Sequence, residues 1–349
     1  MRNLMRSTLL SLSFLVCVGS AEAQYNTKKY IKRNRKAATM TCGNSTIYSR
    51  GLLVEGAKVF SGNSDGSMYY YNTEKEKVQL LFKLDGFVEM RDIERSGDFL
   101  IGIQSGEDGK LVRLNMNGGA KIIEKPEWKG LFIDGIDMIE NRGFLMGDPV
   151  DGFFSLYHTN DGGKNWLPCK GKVPAEKGEA GFSSSGTNVQ LLNDSTYAFI
   201  SGGEKSQFYI SKDNGKSWES VLLPFYPGES SGAFSMHFST DQTGVIVGGD
   251  YVNSDLMLNT AYFTRDGGKS WYNSVHSPRG YRSCVFEKNG VYYTSGRNGI
   301  DFSLDNGENW IPFADGPYYS LGANEAQLVA TTKQGKIQLF DLISPDTKN

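Results

Sequence analysis

The chain has 349 residues, with 37 Lys and Arg against 39 Asp and Glu, for a formal net charge of −2. A balance so near neutrality gives no electrostatic case for nucleic acid. The His residues, at 158, 237 and 276, and the Cys residues form no Cys-x-x-Cys or His-Glu-x-x-His pattern, so neither a zinc site nor any other metal or cofactor is expected.

Residues 1–23 read as a secretory signal. Arg2 and Arg6 make a positive start, Thr8 to Gly19 is a short apolar run, and Ala21-Glu-Ala23 is a small-residue cleavage site. The run is too short for a membrane span. Val16 is a poor residue to precede a lipidated Cys17, so the expectation is a periplasmic or secreted protein with no transmembrane segment after cleavage. Cys42, Cys169 and Cys284 then remain, an odd and sparse set that is no disulfide framework. Residues 24–42 read as a basic leader, with Lys28, Lys29, Lys32, Arg33, Arg35 and Lys36 and no acid. A solvated peptide explains them; a tether for anionic lipid or a partner is the alternative.

From Leu52 onward no helical period appears. Short runs such as Tyr197-Ala-Phe-Ile200 and Gly244-Val-Ile-Val247 alternate with Gly, Asn, Asp and Ser clusters, the pattern of an all-β chain of hairpins. One eight-residue stretch recurs four times: Thr159 to Trp166, Ser211 to Trp218, Thr264 to Trp271 and Ser303 to Trp310. Its pattern is hydroxyl, x, Asp, x, Gly, x, x, Trp. The Asp carboxylates (Asp161, Asp213, Asp266, Asp305) and the hydroxyls can bond the amides of their own hairpin turn. The tryptophans (Trp166, Trp218, Trp271, Trp310) return to the apolar face and can wedge between neighbouring sheets. These residues are therefore read as structural clips. Around one clip, Ala233 to Phe238, Gly244 to Val247, Leu258 to Phe263 and a strand opened by Trp271 make a four-stranded unit. Four antiparallel strands per repeat describe a β-propeller blade. Seven units begin near Leu52, Arg91, Phe132, Thr187, Ala233, Tyr281 and Tyr318. The second has a worn clip, Asn115 to Ile122; the first and seventh have none. The expected fold is a seven-bladed propeller over 43–342, followed by a tail at 343–349, with 43–50 supplying a closing strand.

The clips look like Asp boxes, the bacterial neuraminidase repeat. The body resembles the photosystem II assembly and stability factor family, in its non-photosynthetic bacterial branch, whose members are often labelled oxidoreductases. The resemblance rests on Arg50-Gly-Leu52, Arg91-Asp-Ile93, Asp134-Gly-Ile136, Gly147-Asp-Pro-Val-Asp-Gly152, Gly178-Glu-Ala-Gly-Phe182, Ser185-Gly-Thr187, Val247-Gly-Gly-Asp-Tyr251 and Gly280-Tyr-Arg-Ser-Cys284, in family order. It implies a propeller outside the cytoplasm and no established substrate. The first two blades depart from the pattern in their eroded boxes. No Gly-x-Gly-x-x-Gly follows a strand and opens a helix, so the oxidoreductase label has no dinucleotide support.

Strand direction locates a site. The clips join third to fourth strands, so they mark one face. The starts of the inner strands and the loops between second and third strands lie at the opposite face, around the axis, where ring mouths commonly hold ligands. The inner-strand starts offer Arg50, Arg91 with Asp92, Asp134, Glu179 and Arg282. The loops offer Glu107, Asp108, Asp148, Asp151, Asp250, Asp255 and Arg297. The ligand-binding candidates are Arg50, Arg91, Asp92, Asp148, Asp151, Glu179, Asp250 and Arg282, and Asp148-Pro-Val-Asp151 is the strongest single one. Each can also be a solvated loop charge or a pair across blades. Ser183 to Gly186 reads as loop.

The expectation is a monomeric, non-catalytic binding or assembly propeller with a protein or glycan partner in the cell envelope. The alternative is a sialidase-like glycoside hydrolase in which Arg50, Arg91 and Arg282 cluster on a carboxylate. Against it, no Arg-Ile-Pro signature and no Tyr–Glu pair is evident from spacing.

Overall fold

The computed structural model describes residues 36–83, 86 and 88–344. Seven antiparallel sheets of four strands form a ring, one of them extended by a short pair at Glu179–Ala180 and Gly202–Gly203. The inner strands are Ser49–Glu55, Met90–Ser96, Ile133–Ile139, Val189–Leu191, Ser231–Phe238, Arg282–Lys288 and Leu321–Ala323. They begin blades 1 to 7 at the expected places. Among the described residues the helical content is one short turn, Pro126–Trp128. No helix is long and apolar enough to cross a membrane. The expected signal at 1–23, residues 24–35 of the expected leader and residues 345–349 lie outside the described residues.

The ring closes at a different place from the one expected. Blade 7 takes its fourth strand from Lys36–Thr41, which pairs antiparallel with Lys336–Asp341. Residues 43–50 instead lead into blade 1, and Lys36–Thr41, read as leader, belongs to the ring. Met40 is the physical reason: it is buried with Val59, Tyr71, Val329, Ile337 and Leu339 at the junction of blades 7 and 1. This junction also explains the missing seventh clip. Where a third strand pairs with the other end of the chain there is no turn to fix. Pairing both ends in one sheet removes the open edge.

The four clips work as their composition dictates. Ser211 Oγ donates to Asp213 Oδ1 at 2.9 Å and accepts the Gly215 amide at 2.8 Å. Asp213 Oδ1 in turn accepts the amides of Lys216 and Ser217. Asp161, Asp266 and Asp305 repeat the hydroxyl contact at 2.8 Å each. Each tryptophan packs against the preceding blade. Trp166 joins Ile101, Ile103 and Leu111 of blade 2, and Trp310 joins Val245 and Val247 of blade 5. Trp218 meets Phe144 of blade 3 at 5.7 Å, and Trp271 meets Phe208 of blade 4 at 5.3 Å. The apolar core is thus a circle of inter-blade clusters rather than one central mass. In blade 5 the third strand starts at Ala261, later than expected, which leaves Leu258 in the preceding loop.

Candidate functional site

Five inner strands carry a β-bulge at their start. The register skips one residue between Ser49 and Gly51, Met90 and Asp92, Ile133 and Gly135, Ala233 and Ser235, and Arg282 and Cys284. The skipped residues are Arg50, Arg91, Asp134, Phe234 and Ser283. A bulge leaves its extra residue unpaired and re-aims its side chain. Four of these five line one cavity of about 230 Å³ at the mouth, with Arg297, Tyr251, Tyr281, Tyr318 and Tyr319. The inner-strand starts that line it lie at the end of the blades away from the clips, which join third to fourth strands.

The floor of the mouth is a strap, residues 181–187, that crosses from blade 3 to blade 4. Arg50 Nη1 donates to the Ser184 carbonyl at 3.2 Å and to its hydroxyl at 3.1 Å. Arg91 Nη1 donates to the Ser183 carbonyl. The Tyr281 hydroxyl donates to Ser184 Oγ at 3.0 Å, and Ser185 Oγ to the Ser283 carbonyl at 2.8 Å. The loop at Ser183 to Gly186 is therefore a built floor. Below it lies a second, axial cavity of about 330 Å³, lined by Asp92, Glu94, Asp137 and His237 among others. Gly186 is what lets the strap lie there. Its φ is +78°, and a Cβ would sit 2.1 Å from Asp92 Cγ. Gly186→Ala should cost at least about 2 kcal/mol in urea unfolding; an alanine variant of unchanged midpoint would show that the strap can shift.

Three arginines gather at the mouth. Among the described residues Glu89 is the carboxylate that bridges two of them, 3.0 Å from Arg50 Nε and 2.8 Å from Arg91 Nη2. Arg50 Nε has only this ion pair, while Arg91 Nε and Ser183 Oγ are buried without a hydrogen-bond partner. Arg297 is exposed at the rim. The Arg50 guanidinium lies over the rings of Tyr48 and Tyr319, at 5.3 and 5.8 Å. Burial raises the Tyr281 hydroxyl above the usual tyrosine range, while Arg50, Arg297 and Arg91 pull it back.

The other candidates do not converge. Arg282 is fully buried and spent. Its Nη1 donates to Asp301 Oδ2 at 2.7 Å and to the Gly299 carbonyl, and its Nε to the Tyr281 carbonyl. Desolvation lowers it to about 10. Asp92 points below the strap into the axial cavity and accepts the amides of Ile93 and Ile136. Asp148 accepts the Gly181 amide at 2.8 Å and so anchors the strap. Asp151 is an exposed turn residue with φ of 51°. Glu179 is buried, accepting from Tyr209 at 2.8 Å and from Ser201 and Gln207. Asp250 fixes its own loop by accepting from Ser230, Val252 and Asn253. Asp134, the fifth bulge residue, is covered by the strap at Gly181. Of the eight candidates, then, only Arg50 and Arg91 reach the mouth. Arg297, Ser183, Ser184 and the tyrosines are what the eight missed. They lie in loops outside the strands and off the bulged positions, where no repeat marks them.

A larger groove of about 430 Å³ lies at the outer rim near Lys110, Lys125 and Trp128. Lys110 lies 3.8 Å from Glu124 and Lys125 3.1 Å from Glu127, and Lys129 also lines it. Among the described residues no group of three His, Cys, Asp or Glu is placed to hold a metal ion. Cys42, Cys169 and Cys284 are free thiols.

Fold and mouth together define a seven-bladed β-propeller with a cavity at one mouth of the ring. A family model described as Sortilin, neurotensin receptor 3 (Sortilin-Vps10) matches residues 154–298. No curated protein matches. Among solved structures, a catalytically inactive virginiamycin B lyase from Staphylococcus aureus with quinupristin is similar at a TM-score of 0.64 and 14% identity, covering 88% of this chain and 99% of that one. The WD40 propeller domain of Doa1 gives 0.62 at 9% identity, covering 90% and 99%. YCF48 bound to D1 peptide gives 0.60 at 12% identity, covering 88% and 95%. At such identities the likeness concerns the fold alone.

Proposed function

We propose that this chain is an exported, non-catalytic binding propeller of the assembly-factor kind, which holds a carboxylate-bearing segment of an envelope protein in its mouth. One observation carries this reading. Arg91 Nε and Ser183 Oγ are buried hydrogen-bonding groups without a partner, on side chains that line one cavity, beside the exposed guanidinium of Arg297. Buried donors cost free energy until something accepts from them, and a carboxylate accepts from guanidinium groups in pairs. Among the described residues, Arg50, Arg91 and Arg297 are met at the mouth by Glu89, which leaves positive charge for an anion to balance. The resemblance to the photosystem II assembly and stability factors supports a protein partner. So does the fold-level likeness to YCF48, a propeller solved with a peptide. Export rests on the signal-like residues 1–23.

Titration calorimetry tests the reading with two peptides that differ only in a free or an amidated C-terminus. The free acid should bind at least about 10-fold more tightly. Arg297→Ala should remove most of that difference while leaving the unfolding midpoint in place. Equal affinity for acid and amide would end the carboxylate reading.

The cluster of Arg50, Arg91 and Arg282 expected for a sialidase-like hydrolase does not form, because Arg282 is buried, although Arg297 joins Arg50 and Arg91 at the mouth. Also against the hydrolase, Tyr281 bonds to a serine hydroxyl rather than a carboxylate, and Glu89 is held by Arg50 and Arg91. The Tyr–Glu pair that does occur, Tyr209 with Glu179, is buried away from the mouth. Release of the fluorophore from an aryl sialoside, lost in Tyr281→Phe, would reverse this preference.

A further inference from the structure

The loop between the second and third strands of blade 5 exposes an unusual run of apolar side chains. Tyr251, Val252, Leu256, Met257 and Leu258 are 40, 65, 41, 49 and 63% exposed. Single exposed apolar residues need no explanation, but a cluster of this density marks a contact surface. The loop is held, not loose. Asp250 accepts from Ser230 and from the amides of Val252 and Asn253, and Asp255 accepts from Asn298 at 3.0 Å. The Ser254 carbonyl accepts the Tyr281 amide at 2.9 Å, which fastens the loop to the mouth wall. Asp250 thus shapes the loop itself and Asp255 ties it to blade 6, and its tip offers apolar surface. Tyr251 belongs to the loop and the mouth at once, with Phe234 edge-on at 6.2 Å and Tyr281 at 6.5 Å.

We infer that this loop is the docking platform for apolar side chains that neighbour the captured carboxylate. The inference rests on the carboxylate reading of the mouth and adds the partner's chemistry to it: an extended segment with an anionic group and aliphatic residues beside it. The charges select this occupant over two others. An anionic membrane would meet Asp250, Asp255 and the exposed Glu229 around the apolar tip. A second copy docked face to face would set Arg50, Arg91 and Arg297 against their own symmetry mates. A segment with its own carboxylate meets the arginines with the opposite sign and covers the apolar tip in one pass.

The test is fluorescence anisotropy on the full chain with four labelled peptides. One has Leu and Val before a free C-terminus, the second has Ser in their place, and the third is the apolar peptide amidated. The fourth, amidated and ending in Glu, separates a side-chain carboxylate from a chain end. The double variant Val252→Ser/Leu258→Ser should weaken the apolar acid by roughly 10- to 100-fold and the serine acid by no more than about twofold. Arg297→Ala should weaken both acids alike. If the loop variant binds the apolar acid as the parent does, while Arg297→Ala still weakens it, the platform is refuted and the carboxylate reading stands. If the amide binds as tightly as the acid and Arg297→Ala changes nothing, the carboxylate reading falls and takes this inference with it. Sedimentation of the parent as a dimer that the loop variant abolishes, or flotation with vesicles containing phosphatidylglycerol that it abolishes, would replace the peptide by a second copy or a membrane.

Discussion

Replacing Asp301 by Ala should cost about 3–5 kcal/mol in urea unfolding, the effect of removing one partner from a buried ion pair. Asp301 is 1% exposed and serves two guanidinium groups: Arg279 Nε at 2.7 Å and Arg282 Nη1 at 2.7 Å. It also accepts the Arg279 amide at 3.2 Å. Removing the carboxylate strands Arg282 inside blade 6, where desolvation already lowers its proton affinity. Arg279 is better placed to survive, since Asp315, 95% exposed, holds its Nη1 at 2.6 Å. The loss should therefore fall on the Arg282 half of the network. In Asp301→Ala/Arg282→Met, which removes both buried charges, much of the stability should return, because an apolar replacement has no charge to desolvate. A single variant as stable as the parent would mean that water reaches Arg282. Peptide affinity of the folded fraction should change little, since neither residue lines the mouth.

Arg282 also shows where the sequence stops being readable. Repeats place Arg50, Arg91 and Arg282 at the same phase, the start of an inner strand, and that phase is right for all three. The facing is not. In blades 1 and 2 the arginine is itself the bulged residue, whereas in blade 6 the bulge falls on Ser283 and Arg282 stays in register with Gly296. Side chains alternate faces along a strand, so one residue of offset turns a mouth arginine into a core arginine. Nothing in the repeat announces where a bulge falls. The clips were legible for the opposite reason. Their hydrogen bonds are local, from hydroxyl and carboxylate to amides within four residues, so composition alone specifies them. The strap is the least legible part. It is an aperiodic passage between blades 3 and 4, and its serines matter only because Arg50 and Arg91 reach them across 134 and 92 residues of chain. The closing strand failed in the same way. Lys36–Thr41 looks like leader until its partner, Lys336–Asp341, is known.

The axial cavity beneath the strap should make the fold sensitive to pH, and Asp92→Asn should remove much of that sensitivity. Burial pushes Asp92 up to about 8 and Asp137 to about 6, and holds Glu94 well above its ordinary value. His237, in the same cavity, is pushed by burial down to about 4. For Asp92 the unfolded chain ionises near 4, whereas the native state keeps the proton until about 8. Between those values the native state binds more protons. Stability from this group is therefore complete below about pH 4 and lost as pH rises through about 8. His237 acts in the other direction, since its unfolded form takes a proton near 6.5 and its folded form only near 4, so it lowers stability as pH falls across that window. The interval from pH 6.5 to 8 lies above the His237 window, but Glu94, held well above its ordinary value, acts there in the same direction as Asp92. The parent should lose stability over that interval, with Asp92 accounting for about 1.4 kcal/mol per pH unit of the loss. Asn has no proton to lose and can still accept the Ile136 or Ile93 amide through its oxygen, so its stability should change less. The difference between variant and parent should grow in favour of Asn as pH rises, by on the order of 2 kcal/mol over the interval. Urea midpoints for both proteins at pH 6.5 and 8 decide the matter. Parallel shifts would mean that Asp92 is ionised in the native state throughout, with water drawn into the channel to solvate it.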